Sequence, residues 1–491
     1  MSNFKSKNIF SENRLLAFLI LLLVAFLMHF LALQFIYPGF YRPLDPLHSD
    51  HYLAAAFANG PVHYPWLGFL RWARPVFMLF YKCIGYAGIH GSIVCIIALL
   101  FVSIAMTATV IRRIFDLPFN LPFVLAYGLY CFMVFSQPFM YCQYTEDVGA
   151  LLCYFFLVLG VNFFSLTLDK SLWKSFIPLL VCCLLAFLSK ETYALAALFF
   201  SFLWFIYYRK QSISKAVIPA AAVVLGLIMS SIYNRWVHSV FIDPIASSSQ
   251  PYYIDMSPSS VINQWLTYAG EGLNIANVLV VLFILFLSFR TNKDKAKSIY
   301  TIVGSLAGAG LAWIPNSLLP NHHFPGYVFN GILLLYIPLL LLPFLSIPRR
   351  ARQWGIVIAL ILCAASPLLD IPKYHGATDT WILEQEGIER NVLISLDSAI
   401  SRINPSVNPQ KILVKGVTFP FHPFANPESI RVFANARYAH FDVIKYDSSF
   451  VTGKRLDLVR FVSMADSSRS DYDQKWTFNG EGKLIMFSSK D

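Results

Sequence analysis

Long apolar runs, separated by short polar segments, are the feature that most constrains how this chain can fold. A helix needs roughly 20 apolar residues to cross the hydrocarbon core of a bilayer, and many of these runs have about that length. The chain is 57% hydrophobic and 13% charged, whereas soluble domains carry about 25% charged residues. Its net charge of +11 does not indicate nucleic-acid binding, because the cations form short clusters between apolar runs. We therefore predict an all-α polytopic membrane bundle.

The apolar runs predict about eleven transmembrane helices. The expected spans cover residues 15–37, 91–111, 118–136, 148–167, 176–188, 192–208, 216–233, 274–289, 299–314, 327–348 and 354–370. The segment 75–90 is apolar but contains Lys82 and two glycines, so we expect it to be an interfacial helix.

Lysine and arginine follow a strict alternation along these spans, which predicts their orientation. The basic loops hold Lys5, Lys7 and Arg14; Arg112 and Arg113; Lys170 and Lys174; Arg209, Lys210 and Lys215; Arg290, Lys293, Lys295 and Lys297; and Arg349, Arg350 and Arg352. Every second loop belongs to this set, and the intervening loops are poor in cations apart from the first. The alternation predicts a cytoplasmic N-terminus and a C-terminus on the outside.

The composition changes at about Asp370, after which charges become frequent and apolar runs shorten. We expect a transmembrane domain over residues 1–371 and a small periplasmic α/β domain over 372–491. Strands are predicted at 411–417, 441–446, 458–464 and 484–488, and helices at 381–403 and 427–438. The chain has no N-x-Ser/Thr sequon, which favours a bacterial inner membrane over a membrane of the secretory pathway.

The first outside loop, residues 38–90, contains the densest group of ionisable side chains. Asp45, His48, Asp50 and His51 follow the first span directly, and Arg74 lies further along the same loop. Ionisable clusters at a membrane face are costly and indicate a functional site. Asp50 is the preferred catalytic candidate because histidines flank it. Asp45 precedes a proline, which favours a turn residue, but it remains a competing candidate.

Lys190 and Glu191 follow a predicted span of only thirteen residues, 176–188. Such a helix is about 20 Å long, shorter than a hydrocarbon core of roughly 30 Å. The pair is therefore expected below the outer interface, where a cation suits a lipid-linked phosphate. The alternative is a lysine that extends to the lipid headgroups and caps the span.

Three further groups of side chains are candidates on the same face. Glu146 and Asp147 either hold a divalent metal ion or complement the dipole of the following helix. His322 and His323 either bind phosphate or acceptor, or are ordinary interfacial histidines. Arg235 is a further candidate phosphate ligand.

Taken together, these motifs resemble the GT-C superfamily of glycosyltransferases, which use polyprenyl-phosphate-linked sugars. The resemblance rests on the acidic residue after span one, Arg74-Pro75, the acidic pair at 146–147 and the Ser-Lys-Glu-Thr motif at 189–192. It covers mainly residues 15–200. It implies that Asp50 is the catalytic aspartate, although His51 stands where the family usually has a second acidic residue.

Glycosyl transfer from a phospho-sugar needs a base for the acceptor hydroxyl and cations for the departing phosphate. Asp50 fits the first requirement, and Arg74 and Lys190 fit the second. One base and direct displacement predict inversion at the anomeric carbon. The expected partners are a polyprenyl-phosphate sugar donor, a glycan, lipid or protein acceptor, and membrane lipids. An O-antigen ligase or polymerase and a transporter or flippase remain alternatives.

Overall fold

The computed structural model describes residues 14–35, 74–137, 148–167, 172–241, 254–290, 295–321, 325–344, 354, 357–369, 412–415, 474–479 and 483–489. The chain divides into two compact units. One comprises Met1–Tyr41, Leu70–Phe77 and Ile96–Tyr374, and the other comprises Arg42–Phe69, Met78–Cys95 and His375–Asp491. The candidate site belongs to the first unit.

Helices make up nearly all of the described residues before the C-terminal strands. They are α1 (Arg14–Phe35), α2 (Pro75–Gly85), α3 (Gly88–Ile114), α4 (Leu121–Phe135), α5 (Val148–Thr167), α6 (Leu172–Ser189), α7 (Ala194–Tyr208), α8 (Ile213–Phe241), α9 (Pro258–Gly272), α10 (Ile275–Arg290), α11 (Lys295–Ser317), α12 (Val328–Leu335) and α13 (Val357–Leu369). Short 3-10 helices, Pro325–Tyr327 and Ile337–Phe344, flank α12. Residues 78–95 of α2 and α3 belong to the second unit.

The lengths and hydropathy of these helices confirm a helical membrane protein. Among the described helices, α1, α3, α5, α8 and α11 are long and apolar enough to cross a bilayer, and the bent pair α9–α10 would make a sixth crossing. Six further apolar helical stretches have 10–17 residues: α2, α4, Trp173–Ser189 within α6, α7, Val328–Pro343 and α13. The expected eleven crossings therefore exceed what helix length and composition alone support.

Small residues let the helices of the first unit approach closely. A Cβ atom on Gly160 of α5 would lie 2.9 Å from Cys182 Cβ of α6. A Cβ atom on Gly226 of α8 would lie 3.0 Å from Cys183 Cβ of α6. Gly308 of α11 packs its backbone against the Phe200 ring of α7. Close packing of this kind, rather than a hydrophobic driving force, holds helices together in lipid.

Basic side chains gather at one end of the helix bundle. Arg113, at the end of α3, donates to Ser165 Oγ near the end of α5 at 3.5 Å. Lys297, at the start of α11, lies over the Phe115 ring at 5.2 Å. Ser175, in the first turn of α6, donates to the Thr167 carbonyl at 2.6 Å. We call this the basic end; because α6 starts there, its last residues lie at the opposite end.

The segment between the predicted spans 216–233 and 274–289 contains a helix that the sequence does not predict. Residues 234–272 were expected to form a loop, but α8 extends to Phe241 and α9 occupies Pro258–Gly272. The axes of α9 and α10 differ by 88°. Trp265 of α9 donates to the Gly310 carbonyl at 2.8 Å, which fixes α9 along the C-terminal half of α11.

Side-chain amides close the break between α9 and α10. Asn274 caps α10 by accepting from the Asn277 amide at 2.9 Å, and it donates to the Ser366 carbonyl at 3.1 Å. The Ser366 hydroxyl donates to the Asn277 side chain. The Leu273 amide donates to the Ala269 carbonyl at 2.9 Å. These bonds satisfy backbone groups that would otherwise be costly in lipid.

The second unit contains a three-stranded sheet with the order β1 (Ile412–Lys415), β2 (Gln474–Phe478) and β3 (Leu484–Ser489). β1 and β2 are parallel, and β2 and β3 are antiparallel. β1 falls within a predicted strand and β3 extends one residue beyond the predicted strand 484–488, whereas β2 was not predicted. The other predicted strands and both tail helices lie outside the described residues, so the α/β domain stays a prediction.

Candidate functional site

The turn between α6 and α7 places charged side chains at the end of the bundle opposite the basic end. The Ser189 hydroxyl donates to the Leu185 carbonyl at 2.8 Å, and the Lys190 amide still bonds to the Ala186 carbonyl at 3.1 Å. The Ala194 amide then bonds to the Glu191 carbonyl at 3.0 Å, and α7 begins. Backbone bonding therefore continues almost unbroken through the turn.

The short span expected before this turn is wrong. α6 has 18 residues, which corresponds to about 27 Å rather than about 20 Å. The helix begins earlier than the apolar run because Lys174 and Ser175 are accommodated in its first turns, at the basic end. The length of α6 therefore does not show how deep Lys190 lies in the membrane. Its burial follows from its contacts with neighbouring residues.

Lys190 is buried by tertiary contacts, with 7% of its surface exposed. Its ammonium lies 4.4 Å from the centre of the Tyr327 ring, which precedes α12. Gly149, in the first turn of α5, lies beside its aliphatic stem: a Cβ there would be 3.5 Å from Lys190 Cβ. A cation over an aromatic face gains about 0.5–2 kcal/mol. The contacts favour a held cation over a side chain that extends freely to the headgroups.

Arg74 and Glu191 form an ion pair next to Lys190. The Arg74 guanidinium donates to Glu191 Oε1 at 3.4 Å, and the side chains are 43% and 52% exposed. Partial burial raises the pKa of Glu191, but Arg74, a backbone hydrogen bond and Lys190 lower it more, so the pKa lies below its ordinary value. Such an exposed pair contributes only about 0–1 kcal/mol to stability. We call Arg74, Lys190, Glu191 and Tyr327 the Lys190 cluster.

Buried polar side chains lie beneath this cluster. Tyr193 donates to Asn330 Oδ1 at 3.4 Å, and its ring lies 5.4 Å from that of Tyr154. The Tyr154 hydroxyl is 2.7 Å from Thr107 Oγ1. Thr192 is also buried, and its hydroxyl has no hydrogen-bond partner among the described residues. These side chains form a polar layer next to the cluster, and the layer links α3, α5, α7 and α12.

An apolar cavity of about 270 Å³ extends from this polar layer into the bundle. Tyr154 and Tyr193 line it near the Lys190 cluster, and Lys297 and Tyr300 line it towards the basic end. Most of the remaining lining is aliphatic or aromatic, including Leu157. A cavity with these properties can hold a hydrocarbon chain.

Of the candidate residues derived from the sequence, the structure brings together Arg74, Lys190 and Glu191. Six other candidates lie outside the described residues: Asp45, Asp50, Glu146, Asp147, His322 and His323. Two of these pairs are close in sequence to the cluster. Glu146 and Asp147 precede α5, whose Gly149 contacts Lys190, and His322 and His323 precede Tyr327 by a few residues.

Arg235 and the aromatic residues of the site differ from expectation. Arg235 lies exposed in the last turns of α8, not in a loop, and among the described residues it forms no ion pair with the cluster. Tyr327, Tyr193 and Asn330 were not predicted as site residues. The sequence does offer an indication of Asn330, because its side-chain amide interrupts the apolar run of α12 and is buried there.

Within the described segments, no group of three or more His, Cys, Asp or Glu residues is placed to hold a metal ion. The candidate metal ligands Glu146 and Asp147 lie beyond those segments, so their role stays a prediction. Comparison of the chain with protein-family models, curated proteins and solved structures gives no match. The resemblance to GT-C enzymes therefore rests on the motifs alone.

Proposed function

We propose that this protein is a membrane glycosyltransferase that moves a sugar from a polyprenyl-phosphate donor to an envelope glycan or lipid acceptor. The observation that carries this proposal is the buried Lys190 ammonium, held beside an Arg74–Glu191 pair, and an apolar cavity whose lining includes Tyr193, three residues from Lys190 in the chain. A phosphate bound at the cluster and a prenyl chain in the cavity would account for both features with one ligand.

The charge of the cluster supports this ligand. Arg74 and Lys190 contribute two positive charges and Glu191 one negative charge, which leaves one net positive charge. A polyprenyl-phosphate sugar is a phosphodiester with one negative charge. Its leaving group, polyprenyl phosphate, gains a second negative charge as the bond breaks. Cations fixed in advance near that oxygen lower the barrier because they need no reorganisation.

In the proposed reaction, Asp50 takes the proton of the acceptor hydroxyl. The hydroxyl oxygen attacks the anomeric carbon, and the bond from that carbon to the phosphate oxygen breaks. Displacement from the opposite face inverts the anomeric centre. Asp45 is the competing base, and Glu191 positions Arg74 rather than reacting. His322 and His323 are proposed to bind the acceptor.

The finer topology belongs to the same proposal. Eleven crossings, a GT-C-like arrangement, a cytoplasmic N-terminus and a periplasmic α/β tail would place the Lys190 cluster at the periplasmic face of a bacterial inner membrane. Basic residues gathered at the opposite end support this orientation. Apolar helices below 18 residues would then cross where neighbouring helices thin or bend the bilayer.

Transport is the second candidate, and the 88° bend between α9 and α10 favours it. Broken helices in transporters leave backbone groups free to bind substrates or ions. Here Asn274, Asn277 and Ser366 bond to one another and to the backbone at the break. A break closed by its own side chains suits a structural bend better than a substrate site, so we rank transport second.

A donor-cleavage assay separates these two functions. Sealed vesicles that contain the protein would receive polyprenyl-phosphate hexoses with a labelled sugar, together with envelope lipids and glycans as acceptors. We expect free polyprenyl phosphate and a labelled acceptor to appear in equal amounts. Movement of intact donor across the bilayer without cleavage would replace the enzyme proposal with the transport one.

A further inference from the structure

A second cavity, of about 270 Å³, lies at the basic end of the bundle. Three arginines line it: Arg14 at the start of α1, and Arg112 and Arg113 at the end of α3. The rest of its α1 wall is apolar, with Leu21 at the deepest position along the helix. The cavity lining thus combines three cations with a hydrocarbon wall.

The end of α3 fixes two of these arginines. Asp116 has a φ of 49°, in the left-handed region. Its amide bonds to the Arg113 carbonyl at 3.2 Å, and the Leu117 amide bonds to the Arg112 carbonyl at 2.8 Å. This is a Schellman cap, in which Asp takes the place usual for Gly. Arg113 is further held by Asn162, whose side-chain oxygen accepts from the guanidinium.

No carboxylate among the described residues neutralises this cavity. Its lining contains no acidic side chain, and Asp116 is exposed outside it. Arg14 acts electrostatically on both Arg112 and Arg113, and Arg112 acts on Arg113. Like charges brought together in a partly buried site repel one another unless an anion joins them. The polar partner on α5, Asn162, holds Arg113 but supplies no charge.

We infer that this cavity binds the phosphate headgroup of an anionic membrane phospholipid, with an acyl chain along the apolar face of α1. Basic pockets between transmembrane helices bind such headgroups. General positive-inside bias explains why arginines occur at this end, but not why three of them line one cavity. Exposed Arg209 and Lys210, between α7 and α8, follow the same bias and line neither cavity described here.

Lipid binding to the full chain tests this inference. The purified protein, in neutral detergent, would be titrated with phosphatidylglycerol, phosphatidylcholine or inorganic phosphate, and bound lipid would be counted by native mass spectrometry. We expect Arg14→Gln and Arg113→Gln each to weaken phosphatidylglycerol binding about tenfold, the scale of one charge-assisted hydrogen bond. Arg209→Gln, the matched control, should change nothing. Arg113→Lys should retain part of the affinity.

Three results would overturn the inference. These are equal binding of phosphatidylcholine, an equal loss of affinity in Arg209→Gln, and displacement of bound phosphatidylglycerol by inorganic phosphate. The last result would indicate a site for small anions instead. Melting of each variant in phosphatidylcholine, where the proposed ligand is absent, separates lost binding from lost folding. Unchanged melting with weakened phosphatidylglycerol binding supports the proposed site.

Discussion

Replacing Lys190 by Met tests the proposed donor site most directly. Met keeps a flexible apolar chain of similar length, which can occupy the space between Gly149 and Tyr327. The change removes the cation–aromatic contact, worth about 0.5–2 kcal/mol. It also removes a buried charge, which is costly in low dielectric. These two effects oppose each other, so we expect a change in stability of about 1 kcal/mol or less.

Donor binding should respond much more strongly than stability. A charge-assisted hydrogen bond contributes roughly 1.5–3 kcal/mol, which corresponds to about a tenfold to 150-fold loss of affinity. We expect Lys190→Met to weaken polyprenyl phosphate binding by this factor, and Lys190→Arg to retain part of the affinity. Polyprenyl phosphate is the probe because it is the proposed leaving group and its binding does not depend on the identity of the sugar.

Binding should be measured on purified protein in nanodiscs, with melting recorded on the same samples. Lys210→Met is the matched control, since Lys210 is an exposed cation near the basic end. Equal affinities for wild type and Lys190→Met would refute the donor site and leave Lys190 as a packing residue. Equal losses of affinity in both variants would mean that the assay measures the effect of the protein's overall charge rather than binding at this site.

Three other predictions address the base, the topology and the packing. Asp50→Asn should lower transfer by at least about 10²-fold with little change in melting, and loss of activity in Asp45→Asn alone would assign the base to Asp45. Alkaline phosphatase should be active when fused after the last residue and inactive after Lys295; the reverse activities would invert the topology. Gly331→Ala should destabilise the protein by about 1–3 kcal/mol, because its Cβ would lie 2.4 Å from the Trp313 ring; unchanged melting would contradict this packing.

The sequence predicts helices best where hydropathy changes sharply at both ends. The expected span at 148–167 has the same bounds as α5, because Asp147 and Asp169 flank a uniform apolar run. The start of α6 was misplaced because Lys174 resembles a loop residue while its stem can lie along the helix. α9 was missed because polar side chains such as Asn263 and Gln264 lower its hydropathy although it packs on α11.

The candidate site is less predictable than the helices because its contacts join distant parts of the chain. The Ser-Lys-Glu-Thr motif indicated Lys190 and Glu191, and Arg74-Pro75 indicated Arg74. Nothing local in the sequence indicates that Tyr327 lies over Lys190, since that contact depends on where α6 ends and α12 begins in three dimensions. Likewise, burial of Lys190 follows from Gly149 and Tyr327 together, and not from the length of its own helix.

The adjacent opposite charges of Lys190 and Glu191 in the α6–α7 turn have a consequence for how the protein is assembled in the membrane. In the proposed orientation, with the basic end in the cytoplasm, Lys190 and Glu191 cross the bilayer during biosynthesis. Each lone charge at mid-bilayer costs about 2.5–3.5 kcal/mol on insertion scales. As neighbours they cross as a neutral unit between two apolar helices, which favours entry of α6 and α7 as a hairpin. Arg74 is synthesised before Glu191, so the ion pair forms only after Glu191 has reached the membrane face where Arg74 lies. The Arg74–Glu191 pair therefore cannot form before α6 has been inserted, and Tyr327 completes the Lys190 cluster later still, when α12 is added.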